Sequence, residues 1–183
     1  MERARIAITG LAFVLATLMV CSPLFAESAH AYSFTGYKMP KAIQTIYHGT
    51  GVSGKYKTAL DSACAAYTKK TKVSLKKAAG ANVVWRAKVA NYGNTKWEGL
   101  TSIYKANSNK VIASCESKVN TQYVSSKNSS YLAVLWMHEL GHGWGLGHVP
   151  INKYVMYTNV ATPYASSVRT LTGDEIAGIN KRY

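Results

Sequence analysis

The eleven residues from His138 to His148, HELGHGWGLGH, constrain the fold of this chain more than any other stretch. On an α-helix His138 and His142 stand four residues apart, on one face and one turn from each other, so their imidazoles can share a single tetrahedral cation. Glu139 is turned about 100° around the axis from His138. That puts a carboxylate beside such a cation rather than on it, where it is suited to take a proton from water. His148 reaches the same point only if the helix stops and the chain doubles back. Gly145, which enters left-handed backbone conformations at little steric cost, is placed to allow that. Three neutral imidazoles leave a fourth position open, as in catalytic zinc sites. Structural zinc sites are closed by four protein ligands and have no use for Glu139. Given how rare His, Glu and Gly are in this chain, five fixed residues at these spacings arise by chance with a probability on the order of 10⁻⁵. His30 and His48 are recruited by no spacing: His30 falls in the amino-terminal segment, and His48 reads as an ordinary residue at a strand end.

That amino-terminal segment has the pattern of a secretory signal. Arg3 and Arg5 precede an uncharged, mostly apolar run from Ile6 to Val20, and Ala29-His30-Ala31 supplies small residues at the cleavage positions. Residues 1–31 are therefore read as a signal peptide and 32–183 as one domain. Cleavage a few residues away, or retention as an anchor, remains compatible with the uncharged run, whereas lipid attachment at Cys21 is disfavoured by the bulky Val20 before it. Removal of the signal leaves Cys64 and Cys115, which in an oxidising compartment either form one disulfide or serve as two small buried hydrophobes.

Basic residues number 22 against 8 acidic ones, a formal net charge of +14, yet 48% of residues are hydrophobic, so the chain is expected to fold. Alternation and period suggest α+β order. Ala42 to Tyr47, Ala81 to Lys88, Gly99 to Ala106 and Val111 to Glu116 read as strands. Tyr56, Leu60, Ala63, Cys64 and Tyr67 line one face of a helix. A second, apolar helix runs from Tyr131 to Leu140 with Asn128 or Ser129 as N-cap. Val149 to Arg169 shows no regular period. A last helix begins at Thr172 and Glu175, which have capping-box spacing, and presents Ile176, Ile179 and Tyr183 on one face.

The run His138 to His148 resembles the metzincin zinc-peptidase signature HExxHxxGxxH, and Met156, in Tyr154-Val155-Met156-Tyr157, is similar to the methionine of that group's Met-turn. Tyr157 directly after Met156, and a closing helix from Leu171 to Tyr183, resemble the matrixins, the matrix metalloproteinase type. The resemblance implies a twisted, mixed, five-stranded β-sheet with two helices above a cleft, an irregular lower subdomain and a C-terminal helix. It implies that His138, His142 and His148 hold one Zn²⁺, that Glu139 is the general base, and that Met156 forms a hydrophobic floor beneath the metal without ligating it. The Gly99 to Ala106 region is then the edge strand on which a protein or peptide substrate lies extended. In matrixins a free α-amino group at the mature N-terminus can pair with an acid of the closing helix; Asp174 is the candidate here, since Glu175 has its capping role, and the alternative is an acid favoured near a helix N-terminus by the macrodipole alone.

The sequence departs from that pattern in several places. After Ala31 the only acids are Asp61, Glu98, Glu116, Glu139, Asp174 and Glu175, which argues against structural Ca²⁺. No stretch between the signal and Tyr32 accommodates an inhibitory prodomain, so the enzyme is expected to emerge active. Thr158 stands where matrixins carry the proline that shapes the specificity pocket, and Val149-Pro150 replaces their serine after the third histidine. The expectation is a monomeric, secreted zinc metalloendopeptidase, with anionic cell-envelope polymers as candidate partners for its positive charge. A cationic envelope-binding or antimicrobial protein on the same fold is the alternative, and intact Glu139 speaks against it. Nucleic acid is not expected, since the lysines are scattered from Lys38 to Lys181 without a motif.

Overall fold

The computed structural model describes residues 30–183, so the proposed signal pattern and Cys21 lie outside the described residues. The strands are β1 (Ser33–Phe34), β2 (Ile43–His48), β3 (Ser74–Lys77), β4 (Trp85–Ala90), β5 (Gly99–Ala106), β6 (Ile112–Asn120) and β7 (Leu146–Gly147). Five of them form one sheet in the order β3-β2-β4-β6-β5. All its pairings are parallel except that of β5, which runs antiparallel to β6 at one edge. The helices are α1 (Gly54–Lys70), α2 (Thr121–Val124), α3 (Ser129–Trp144), α4 (Ala161–Ala165) and α5 (Gly173–Arg182). Among the described residues no helix is long and apolar enough to cross a membrane.

Period-two patterning turns one face of the sheet inward. On β4, Trp85, Ala87 and Val89 are buried while Arg86, Lys88 and Ala90 are only partly so. The parallel neighbours β2 and β3 are joined through α1, as a parallel pair requires. Ala59, Leu60, Ala63, Cys64 and Tyr67 of α1 are its buried residues, which is the face the sequence marks. Helix α3 packs against α1 and the sheet and is buried almost throughout. Trp85, Trp136 and Trp144 are fully enclosed, with Trp144 edge-on to Trp85 at 5.3 Å and to Tyr183 at 5.3 Å.

Several expectations shift. The strand placed at Ala81 starts at Trp85, because Val83 N–H turns back to Ala81 C=O. The strand placed at Val111 to Glu116 continues to Asn120. Strand β3 escaped the sequence reading because SLKK is short and polar, and only Leu75 of it is buried. Helix α4 was likewise invisible inside the aperiodic Val149 to Arg169 stretch.

Cys64 and Cys115 are buried free thiols. Cys64 faces Leu75 of β3 and His48 of β2, whereas Cys115 lies on β6. Burial pushes both thiols up to about 12. They are small core hydrophobes, and the disulfide alternative fails.

Candidate active site

Asn128 caps α3 by accepting the backbone N–H of Tyr131 at 2.9 Å, as one of the two residues expected to do so. After the sixteen residues of α3, Gly145 ends the helix with φ 97°, its N–H shared between the carbonyls of Gly141 and His142. An L side chain there would be strained by that backbone and would strike Tyr37 C=O. The chain then pairs β7 with β1, antiparallel, and returns His148 toward the helix.

The three Nε2 atoms converge. His138 and His142 are 3.1 Å apart, His138 and His148 3.1 Å, and His142 and His148 3.2 Å. On α3 the other ring nitrogens are committed elsewhere: Nδ1 of His138 lies 2.7 Å from Val155 C=O and Nδ1 of His142 lies 2.9 Å from Leu146 C=O. A carbonyl only accepts, so each Nδ1 carries the proton and each facing Nε2 carries a lone pair. Bare lone pairs at this separation repel. A tetrahedral zinc with Zn–N near 2.05 Å sets its ligand nitrogens about 3.3 Å apart, so the donor set fits that ion. Burial, with the neighbouring imidazoles, lowers His138 to about 3, and burial lowers His142 to about 4. Both stay neutral, as metal ligation requires. Exposure increases from His138 through His142 to His148, so the triad runs from the core out into the cleft.

Glu139 is 3% exposed. Its carboxylate passes so close to Gly99 of β5 that a Cβ there would collide with Oε1. Thr101, two residues along the same strand, reaches Glu139 Oε2 at 3.0 Å. Burial raises the Glu139 carboxyl to about 8, against the pull of the Thr101 hydrogen bond. A cation held by the three imidazoles draws it back down.

Met156 is 1% exposed, and its sulfur fills the space a side chain at Gly141 would need. It is a floor, not one of the converging donors. The turn around it is tied in two directions. Val155 C=O orients His138, while Met156 N–H donates to Glu175 Oε1 at 3.1 Å. Glu175 Oε2 at the same time accepts Thr172 N–H, completing the capping box of α5. The sequence shows Glu175 as a cap; its bond to the Met-turn has no local signature.

These groups open onto a cleft of about 660 Å³ whose walls include Leu135 of α3, Gly99 to Thr101 of β5, Thr158 to Ala161 below, and Thr35 and Tyr37 from the amino-terminal segment. The contribution of Thr35 and Tyr37 was not foreseen; it follows from the β1–β7 pairing. His48 ends β2 with its Nε2 3.8 Å from Asp61, apart from the triad, and His30 is exposed near Tyr32.

A mixed five-stranded sheet over a helix that carries two of three converging histidines, with the third on the returning chain and a methionine turn after it, defines a metzincin-type zinc metalloendopeptidase. The matrixin family model matches residues 31–183, and the chain belongs to that family. Comparison with curated proteins gives no match.

Proposed function

We propose that this matrixin is exported and cleaves peptide bonds within protein chains, with His138, His142 and His148 holding one Zn²⁺ and Glu139 as general base. Zinc, bound there, supplies Lewis acidity to the scissile carbonyl and to the water that attacks it. The carboxylate of Glu139 accepts the proton of that water and passes it to the leaving amine. An extended substrate lies along the free edge of β5, whose Gly99, Leu100, Thr101 and Ile103 line the cleft. One observation carries this reading: a buried carboxylate faces the cleft one residue along the helix from the first of three convergent imidazole nitrogens.

Export is supported by the signal pattern of residues 1–31 and by the start of the family match at residue 31. The excess of basic over acidic residues suits retention on anionic envelope polymers, which salt would reverse. The test is digestion of casein with and without a zinc chelator, beside Glu139→Gln. The amide keeps shape and metal but cannot take the proton, so zinc content stays whole while turnover drops about a thousandfold or more. Retention of more than about a tenth of wild-type turnover removes the general-base assignment.

A further inference from the structure

Behind Glu139 lies a line of polar groups inside an otherwise apolar core. Trp85 of β4 donates its indole N–H to Ser117 Oγ at 3.0 Å. Ser117 and Thr101 face each other in the β5–β6 register, with their hydroxyl oxygens 2.9 Å apart. Thr101 Oγ1 in turn lies 2.7 Å from the backbone C=O of Glu139 and 3.0 Å from its carboxylate Oε2. Trp85 and Ser117 are wholly enclosed. Burying hydroxyls here costs free energy unless each is paired. The next inward position on β5 carries the apolar Ile103, so the strand does not need a polar residue for its own sake.

Counting protons gives the line a direction. An indole N–H only donates, so Ser117 accepts from Trp85. The one proton of Ser117 then goes to Thr101, its other hydrogen-bond partner. Thr101 therefore accepts from Ser117 and keeps its own proton to donate, and both acceptors in reach belong to Glu139. It meets the ionised carboxylate as a donor at Oε2. Among the described residues no hydrogen bond reaches Oε1, the oxygen beside Gly99.

We propose that Thr101 is a positioning residue for the general base: the Trp85–Ser117–Thr101 line holds Oε2 of Glu139 and leaves Oε1 free to receive the proton of the attacking water. The proposal rests on the reading of Glu139 as base. It assigns Thr101 no contact with the reacting atoms; its effect passes through Glu139.

The test uses the full chain with Thr101→Val, which keeps shape and removes the hydroxyl, Thr101→Ser, which keeps the hydroxyl, and each combined with Glu139→Gln. On a short peptide, Thr101→Val lowers kcat about tenfold or more, the size expected for a lost hydrogen bond to a charged group, with KM within about twofold. Thr101→Ser recovers kcat to within about threefold of wild type. In the Glu139→Gln background, Thr101→Val has no further effect, because the group it acts through is gone. Zinc content is unchanged throughout. The indole N–H resonance of Trp85 moves in Thr101→Val and not in Thr101→Ser, reporting the line independently of turnover. Should valine at 101 prevent folding, Thr101→Ala takes its place. A kcat within twofold of wild type in the variant lacking the hydroxyl, equal impairment by serine, or an undiminished loss in the Glu139→Gln background overturns the proposal. Activity retained by Glu139→Gln alone overturns instead the base assignment beneath it.

Discussion

His138 and His148 meet at one point from two unlike kinds of structure. His138 rides on α3, a helix enclosed by α1 and the sheet, where Leu132, Leu135, Trp136, Leu140 and Trp144 are buried. His148 opens the segment that runs beneath the cleft to Thr172, whose shape is set by single hydrogen bonds: Val149 N–H to Met156 C=O at 2.9 Å, Met156 N–H to Glu175, and Thr162 N–H to Asn159 Oδ1 at 3.0 Å. The upper half is held almost wholly by buried area, whereas the lower half buries fewer side chains, Val149, Val155, Met156, Val160 and Leu171 among them, and leans more on directed bonds. Stability should therefore reside above the cleft and site geometry below it, with the triad as the joint between them.

The largest effect tests the joint. His142→Ala removes one of three donors, and both zinc binding and turnover fall to background, read by metal content and peptide cleavage. The circular dichroism spectrum stays near that of the wild type, because α3 keeps its apolar packing. Collapse of the helix signal would show that the metal, and not the core, holds the upper half.

A matched pair then separates the halves. Leu132→Ala, at a fully buried position above, costs about 2 to 5 kcal/mol of stability and leaves kcat of the folded protein nearly unchanged. Glu175→Gln, below, keeps shape, but its single amide oxygen accepts from Thr172 N–H or from Met156 N–H and not from both, so with the cap kept an amide NH2 faces Met156 N–H and that bond is lost. It costs about 1 to 3 kcal/mol and lowers kcat/KM disproportionately, since Val155 C=O next to that bond orients His138. If melting temperature and turnover move in step in both variants, the division between halves is wrong.

The same division explains what was legible in the sequence. Periodicity reports area, so β2, β5, α1 and α3 were visible through their apolar faces, and β5 was bounded to the residue. The triad was legible because three ligands and a breaking glycine lie within eleven residues, where helix geometry relates the first two and the helix-ending glycine lets the third return. Long-range single bonds leave no period. Nothing near Glu175 points to Met156 nineteen residues earlier, and Thr101 looks like an ordinary strand threonine until Glu139 is placed behind it. Polar β3 was missed for the related reason that an edge strand with one buried side chain carries almost no pattern.

A pH effect of intermediate size belongs to the upper half. His48 lies between β2 and α1, facing Asp61, with Lys77 and Lys57 nearby and Cys64, Lys69 and Lys76 around the same shallow cleft. Burial lowers its pKa below the ordinary histidine value; Asp61 opposes this, while Lys77 and Lys57 add to it. The folded state thus prefers neutral His48. Its contribution is fully present above about pH 6.5 and is lost as pH falls through the lower folded value. Melting temperature of the wild type should therefore decline more steeply than that of His48→Asn on going below about pH 6.5. Parallel curves for the two proteins would dissociate His48 from acid sensitivity.

The smallest expected effect lies where the two halves are tied at the amino terminus. Asp174, 3% exposed at the start of α5, accepts the backbone N–H of Ala31 at 2.7 Å and of Tyr32 at 3.0 Å, both on Oδ1. Oδ2 is buried without a partner. A favourable position near the helix N-terminus accounts for an acid at 174, but not for its contact with the residues around the expected cleavage point. Cleavage before Tyr32 exchanges two amide donors for one ammonium with three, able to serve both carboxylate oxygens. The lost Ala31 amide bond is also made to a carboxylate, so the net gain is only the added charge of the ammonium, about 1 kcal/mol. For a domain of this size that raises the melting temperature by about 2 to 4 °C. Because α5 also holds Met156 through Glu175, turnover should rise slightly with it. Protein beginning at Tyr32 is to be compared with protein extended by two residues, each with and without Asp174→Asn. The advantage of the shorter form should vanish in the Asn pair; equal melting temperatures and equal turnover for the two Asp174 forms would leave this residue a helix-start acid whose amide contacts suffice.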